Sequence, residues 1–308
     1  MYDVLIIGSG PAGLTAAVYN TRADLKTIIL AGSKWGGQLQ LTTLVENFPG
    51  FPEGIQGPDL MTAMRKQAEK FGAEIVERDF VSADFSKQKG PFTVKTAEKE
   101  YQAKAVIIAT GADTKWLGVP GEKERIGHGV SSCAPCDAPF FKGKNVIVVG
   151  GGDSAMEEAL VLTNFAMSVT LVHRSDSFKA SEIMLKRVKE NPKIKIVLDT
   201  QITEILGDQK VEKVKLHNNK TNEDSQMAID GIFVAIGHIP NSVVFEGIAK
   251  DEKGFIKVEN HYRTNVEGVF VAGDVHDHEY KQAITAAGFG CAAALEAEKW
   301  LRGMPDLG

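Results

Sequence analysis

Cysteine is scarce in this chain of 308 residues: only Cys133, Cys136 and Cys291 occur. Three cysteines cannot build a framework of structural disulfides, so the fold must rest on packed cores. Long apolar runs are missing too. None approaches the roughly 20 residues that cross a bilayer, and no membrane association is expected. Basic tracts are also missing. Lys and Arg total 35 against 40 Asp and Glu, a net charge of −5. No stretch could track a phosphate backbone, so no nucleic-acid partner is expected. The first residues, Met1 to Gly8, carry no charged leader and no cleavage site, so a cytoplasmic protein is expected. A zinc site lacks ligands. No second Cys/His pair stands near Cys133 and Cys136, and His276 and His278 lie far along the chain.

What is present is normal for a globular protein: 43% hydrophobic and 24% charged residues. The length suits two domains. Residues 3–7 form an apolar β-type run that leads into Gly8-Ser9-Gly10-Pro11-Ala12-Gly13. An alanine-rich helical stretch follows from Leu14 to Tyr19, then a strand at 27–30. This is a βαβ unit with G-x-G-x-x-G at its turn. The first glycine permits the tight turn, the second lets backbone approach a pyrophosphate, and the third lets helix and sheet pack closely. Helix N-terminal amides then hold the phosphates. The pattern returns after the strand 146–149, as Gly150-Gly151-Gly152-Asp153-Ser154-Ala155, followed by a helical stretch at 155–166 and a strand at 169–172. Two such units imply two dinucleotides, one of which can be a flavin; a relic second unit that binds nothing is the alternative.

Between the units lie the turn Gly36-Gly37-Gln38, a helical segment near 58–71, a strand pair around 92–102 and a strand at 105–111 ending in Thr110-Gly111. Two more apolar strands, 232–237 and 269–274, also end in glycine, and a helix over 281–300 closes the chain. Ligands of open α/β sheets sit at the carboxyl ends of strands, so these tips are expected to face cofactors.

Cys133-Ala134-Pro135-Cys136-Asp137 stands between the two glycine turns. A lone Cys-x-x-Cys in a reducing compartment is more often catalytic or metal-binding than structural. Asp137 suits an acid/base for the adjacent sulfur if its surroundings raise its pKa; a helix-start cap is the alternative reading. Cys291 sits in an apolar helix and reads as a small buried hydrophobe.

These pieces together resemble one family, the low-molecular-weight thioredoxin reductases, over essentially the whole chain. The residues that carry the likeness are GSGPAG at 8–13, GGQLQLTTLVENFPG at 36–50, ATGA at 109–112, CAPCD at 133–137, GGGDSAMEEA at 150–159, HRSDSFKA at 173–180, AIGHIPN at 235–241 and GVFVAGDV at 268–275. The resemblance implies an α/β fold of two Rossmann-like domains, each a three-layer ββα arrangement. The nicotinamide domain, 115–242, would be inserted in an FAD domain made of 1–114 and 243–308. It implies a homodimer that passes electrons from NADPH to FAD, to a Cys133–Cys136 disulfide, and on to a thioredoxin-like protein. Cys136 would face the flavin and Cys133 would attack the partner. A different donor such as ferredoxin, or a redox sensor without turnover, are the alternatives.

The resemblance also implies site residues. FAD would meet Gly8, Ser9, Gly10, Pro11, Ala12 and Gly13 at its pyrophosphate. Gly37, Gln38, Asn47, Val81, Thr110 and Gly111 would contribute from the first segment. Gly273, Asp274, Lys281, Gln282 and Ala283 would contribute from the last, Lys281 standing where Arg is commoner. No acid follows the second strand, where Ile29-Leu30 leads to Ala31-Gly32-Ser33, so the ribose contact is unassigned. The nicotinamide dinucleotide would meet Gly151, Gly152, Asp153, Ser154, Ile236 and Gly237, with His173, Arg174, Ser175 and Lys179 at its adenosine end. The family pattern there is H-R-R-x-x-x-R. Ser175 and Lys179 replace two arginines, which predicts weaker grip on a 2′-phosphate and leaves NADH possible beside NADPH. Pro135, in place of the commoner Thr, removes an amide donor and predicts an altered redox potential of either sign.

Overall fold

The computed structural model describes residues 1–42, 44–85 and 90–303. The motif at 36–50 therefore contains one position, 43, outside the described residues. The chain divides into two compact units: Met1–Asp113 with Ile239–Gly308, and Thr114–His238.

The first unit is built on parallel strands in the order Glu74–Val76, Thr27–Leu30, Tyr2–Ile7, Glu100–Ile108, with Val269–Val271 on the far side of the last. The strands expected around 92–102 and at 105–111 are organised differently. Phe92–Thr96 pairs antiparallel with the first part of Glu100–Ile108, and that strand continues without a break beside Tyr2–Ile7. Its sequence shows why. Tyr101 and Ala103 alternate with exposed residues, and Ala105 to Ile108 are then buried without interruption. Alternation suits a one-sided antiparallel ribbon, and a continuous apolar run suits a parallel strand covered on both faces.

Period-two alternation divides the side chains of each strand between two cores. Val4, Ile6, Ile29, Ala105 and Ile107 pack against the helices Pro11–Arg22, Gly57–Lys70 and Ala283–Arg302. Leu5, Ile7, Ile28, Leu30, Val106 and Ile108 pack on the other face with Phe85, Phe92 and Phe245. Each fully buried side chain of this size is worth roughly 1.5–3 kcal/mol of transfer free energy. The first and last helices meet through small residues. A Cβ on Gly290 would lie 2.1 Å from the Ala12 carbonyl oxygen, so glycine there sets how closely they approach.

The second unit repeats the plan. Its parallel sheet runs Val130–Ser131, Gly231–Val234, Asn145–Val149, Ser168–Val172, Ile194–Val197. Helices Asp153–Leu162 and Glu182–Glu190 cover one face. An antiparallel meander, Thr200–Leu206, Lys213–Asn218 and Glu223–Ala228, supplies Ile202, Ile205, Val214 and Leu216 to the other. Each unit is thus a three-layer α/β fold. Among the described residues, no helix is long and apolar enough to cross a membrane.

Candidate active site

The two glycine turns use their glycines in the same way. In the first, Gly8 has φ +110°, and a Cβ there would lie 2.2 Å from the Ala109 carbonyl oxygen. A Cβ on Gly13 would lie 2.0 Å from the Gly8 oxygen. Both positions are closed by the protein's own backbone. Gly10, at the head of helix Pro11–Arg22, has nothing within 4 Å of its Cβ position. In the second turn a Cβ on Gly150 would meet the Ala235 oxygen at 2.4 Å, whereas Gly152 again faces open space. The chain's own packing therefore does not require a glycine at the middle position of either turn.

Ser9 is buried and ties the first turn together. Its hydroxyl donates to the Ala31 carbonyl at 2.8 Å and accepts the Gly36 N–H at 2.9 Å. Gly37 stands over Gly10, with its Cβ position 3.4 Å from the Gly10 Cα, and Gly273 stands over Ala12 at 2.9 Å. Gly37–Leu41 is a short 3₁₀ turn. The structure thus gathers the 8–13, 36–37 and 273–274 segments around one turn. Asp274 follows at the strand tip. Its Oδ1 is enclosed without a hydrogen-bond partner, and burial, reinforced by the charge of Asp277, pushes its pKa up to about 7. Two residues on, His276 packs among Tyr262 and Phe289, and burial lowers its pKa to about 4.

Other predicted positions lie around this first unit. Gln282 caps the closing helix in a reciprocal capping box with Thr285, directly before Ala283, and its Oε1 accepts from the Asn47 amide at 3.3 Å. Lys281 adopts φ +49°, held by its N–H bond to Asp277 Oδ2. Thr110 donates its hydroxyl to the Asn241 carbonyl, and Gly111 adopts φ +68°. Gln38 donates to Asp113 at 3.1 Å. Val81 is exposed on the strand Phe80–Ala83. Sequence reasoning missed Asp79. This acid sits one strand over from the tip where none was found, and its Oδ1 accepts the Ser33 N–H at 2.8 Å and the Ser33 hydroxyl at 3.2 Å. Those bonds hold its pKa below the ordinary carboxylate range.

The dithiol lies in the second unit as a disulfide, with Cα atoms 5.3 Å apart. Ala134–Asp137 is one helical turn with Cys133 as its N-cap residue. Asp137 ends that turn and is the N-cap residue of the 3₁₀ turn Ala138–Phe141, but its carboxyl makes no cap hydrogen bond there. Burial raises its pKa, partly offset by a hydrogen bond from the Ser131 hydroxyl at 2.5 Å. The same hydroxyl accepts the Cys133 N–H at 3.1 Å. Ser131 therefore links the first cysteine to the carboxyl, and sequence reasoning missed it. Cys291 is half-buried and unpaired by any disulfide.

At the second glycine turn, the His173 ring fills the space beside Gly151, stacks on Phe178 at 5.1 Å and hydrogen-bonds the Ser177 carbonyl at 3.0 Å. Lys179 N–H donates to the Gly151 carbonyl at 2.7 Å, so the 173–180 loop is folded back onto the turn. Arg174, Ser175 and Lys179 side chains are exposed there, as are Asp153 and Ser154. Asp153 Oδ1 accepts both the N–H and the hydroxyl of Ser181 at 2.8 Å, which anchors the helix start. Ile236 is half-buried, and Gly237 has φ +108° with its carbonyl bonded to Lys115 N–H.

The sequence profile of pyridine nucleotide-disulphide oxidoreductases matches residues 2–290. The chain belongs to this family. Its relatives include a thioredoxin reductase of Mycolicibacterium smegmatis, 52% identical over 98% of this chain and 97% of the relative. A protein of Mycobacterium leprae named bifunctional thioredoxin reductase/thioredoxin is 50% identical, over 98% of this chain and 66% of its own length. Among solved structures, thioredoxin reductase from Streptococcus pyogenes superposes with a TM-score of 0.93 at 40% identity, covering 99% of both chains. That from Giardia duodenalis gives 0.92 at 44% identity, covering 98% of this chain and 99% of that one.

Membership of the pyridine nucleotide-disulphide oxidoreductases implies a flavin and a nicotinamide cofactor, and the residues fit such groups. The open faces at Gly10 and Gly152 admit a pyrophosphate against helix N-termini. The enclosed Asp274 Oδ1 awaits a donor, which a polyhydroxylated chain supplies.

Proposed function

We propose that the chain is a thioredoxin-disulfide reductase that binds FAD in the first unit and NADPH in the second, and acts as a cytoplasmic homodimer. The carrying observation is the Cys133–Cys136 disulfide beside a half-buried Asp137, in the same unit as a glycine turn with an open middle position. A flavin held by the first unit would supply the electron pair that opens the Cys133–Cys136 bond. Asp137, whose burial favours its protonated form, gives a proton to the leaving Cys136 sulfur. Cys133 thiolate attacks one sulfur of the partner's disulfide, forming a mixed disulfide and expelling the other as a thiolate. Cys136, deprotonated by Asp137, then attacks Cys133 Sγ, which releases the reduced partner and restores the intramolecular disulfide. The partner is a thioredoxin, a reading supported by the Mycobacterium leprae relative whose name joins both proteins.

The first unit's pyrophosphate contacts are Gly8 to Gly13, and its flavin-side groups are Gly37, Gln38, Asn47, Asp274, Lys281 and Gln282. Asp79 supplies the ribose carboxylate that the second strand lacks. In the second unit, Arg174 and Lys179 face the 2′-phosphate while Ser175 donates a neutral hydrogen bond. Purified thioredoxin, NADPH and the holoenzyme test the reading against Cys136→Ser. The variant should bind FAD and bleach with NADPH, yet leave thioredoxin oxidised. Failure of the wild type to reduce thioredoxin refutes the activity. Failure of NADPH to bleach the wild-type flavin favours a second reading, in which another carrier such as ferredoxin donates; Ser175 and Lys179, in place of arginines, motivate it.

A further inference from the structure

The backbone donors of the dithiol turn are all committed. Cys133 N–H goes to the Ser131 hydroxyl, while the N–H groups of Cys136 and Asp137 both go to the Cys133 carbonyl, at 3.2 and 3.1 Å. Pro135 has no N–H. The remaining donor, Ala134 N–H, is taken by a side chain from another element: Glu158 Oε2, at 2.5 Å, from helix Asp153–Leu162. A helix N-terminus ordinarily lowers the pKa of a cysteine through free amides and its dipole. An N-cap sulfur would draw on the N–H of the second or third helical residue. Here the second is Pro135 and the third is already engaged.

We propose that Glu158 holds the first sulfur of the dithiol, Cys133, in its thiol form. It does so by occupying the Ala134 amide and by setting a negative charge at the head of the turn. Glu158 is a positioning residue of the redox centre. The helix Asp153–Leu162 and the segment Ala138–Phe141 pack on the turn, and the strand Val130–Ser131 meets it through the Ser131 hydroxyl, which does not titrate. The helix offers Glu158, with Glu157 exposed to solvent. The segment carries no titratable group, and Lys142 after it is exposed. Asp137 lies on the turn itself and is held toward its neutral form by burial. Glu158 is thus the carboxyl that meets the head of the turn, through its bond from the Ala134 N–H, and a negative charge there would oppose a thiolate. The consequence is directional. After an electron pair opens the disulfide, Asp137 protonates Cys136 and water protonates Cys133, so the Cys133 proton must leave again before attack on the partner.

The test uses flavin-loaded protein in a Cys136→Ser, Cys291→Ala background, where Cys133 is the sole thiol. Its alkylation by iodoacetamide is followed against pH, with a thermal melt of each variant. Glu158→Gln, which keeps an acceptor but loses the charge, and Glu158→Ala should each lower the midpoint by about one pH unit. At pH 7 that raises the thiolate fraction about tenfold and lowers its intrinsic nucleophilicity about threefold, so alkylation quickens about threefold while the high-pH plateau falls. A fall confined to Glu158→Ala supports the proposal through the freed Ala134 amide. Pro135→Thr, which returns an N–H, should move the midpoint the same way. A midpoint within about 0.3 of the parent, or above it, in both Glu158 variants overturns the proposal, whatever the melts show.

Discussion

Replacing Asp274 by asparagine should reshape the pH dependence of stability of the flavin-free protein, because two neighbouring groups titrate in opposition. Burial moves the Asp274 carboxyl from an ordinary value of 3.8 to about 7. Below 3.8 the folded and unfolded chains both hold its proton. As pH rises from there to about 7, the unfolded chain ionises while the folded one does not, so stability falls. A rise of about three pH units is worth about 4 kcal/mol. His276 acts in the other sense. Its pKa drops from 6.5 to about 4, so the unfolded chain binds the extra proton between those values. Stability therefore rises with pH across that window, by about 3 kcal/mol. The wild type should show a nearly flat profile between pH 4 and 6.5, then a loss of about 1 kcal/mol toward pH 7. Asp274→Asn removes the falling component and leaves the His276 rise exposed. Its gain over wild type should grow to about 4 kcal/mol by pH 8. Urea unfolding in a Trp116→Phe background leaves Trp35 and Trp300, both in the first unit, as fluorescent reporters. Profiles of the two proteins that run parallel within about 1 kcal/mol from pH 4 to 8 would refute the reasoning.

The glycine turns predict a separation of folding from binding. Gly13→Ala, whose Cβ would meet backbone at 2.0 Å, should lower the melting temperature of the flavin-free protein, whereas Gly10→Ala should leave it within about 0.5 kcal/mol of wild type and still weaken FAD binding at least tenfold. Fluorescence titration with FAD checks the second half, and unchanged affinity in Gly10→Ala would contradict the pyrophosphate assignment. At the nicotinamide turn, Ser175→Arg with Lys179→Arg should raise the ratio of kcat/KM for NADPH over NADH about tenfold or more, the worth of one or two charge-assisted hydrogen bonds. A ratio that does not move would place the 2′-phosphate elsewhere.

Both glycine turns were legible in the sequence because their determinants are local. A strand, three small residues at fixed spacing and a helix lie within about 25 residues, and Gly8, Gly13 and Gly150 answer contacts inside that window or at the adjoining strand. The helices at Gly57–Lys70 and Ala283–Arg302 were legible for the same reason, through their apolar spacing. The strand Glu100–Ile108 was misread as two. Its change from alternating to continuous burial marks where its partner changes from Phe92–Thr96 to Tyr2–Ile7, and periodicity alone does not say whether the backbone breaks there.

The groups that complete the chemistry were hidden for a different reason. Asp79, Ser131 and Glu158 act through contacts that spacing does not encode. Asp79 reaches Ser33 across 46 positions, and Glu158 reaches Ala134 across 24. The sequence did hold a trace of Asp79 and of Glu158 as a deficit: no acid after Leu30, and no N–H at Pro135. A deficit at a position where chemistry needs a group says that the group, or its opposite, comes from elsewhere in the fold. At the strand tip after Leu30, the Asp79 carboxylate stands one strand over and bonds Ser33. At the dithiol the deficit is deepened, because Glu158 takes the donor that Pro135 left behind. A reductase gains from that second outcome. A turn that stabilised its thiolates would stabilise its own reduced form and so release electrons less readily to the partner. The residue that fills the last open hydrogen bond beside Cys133 therefore belongs to the redox centre as much as the proline between the cysteines does.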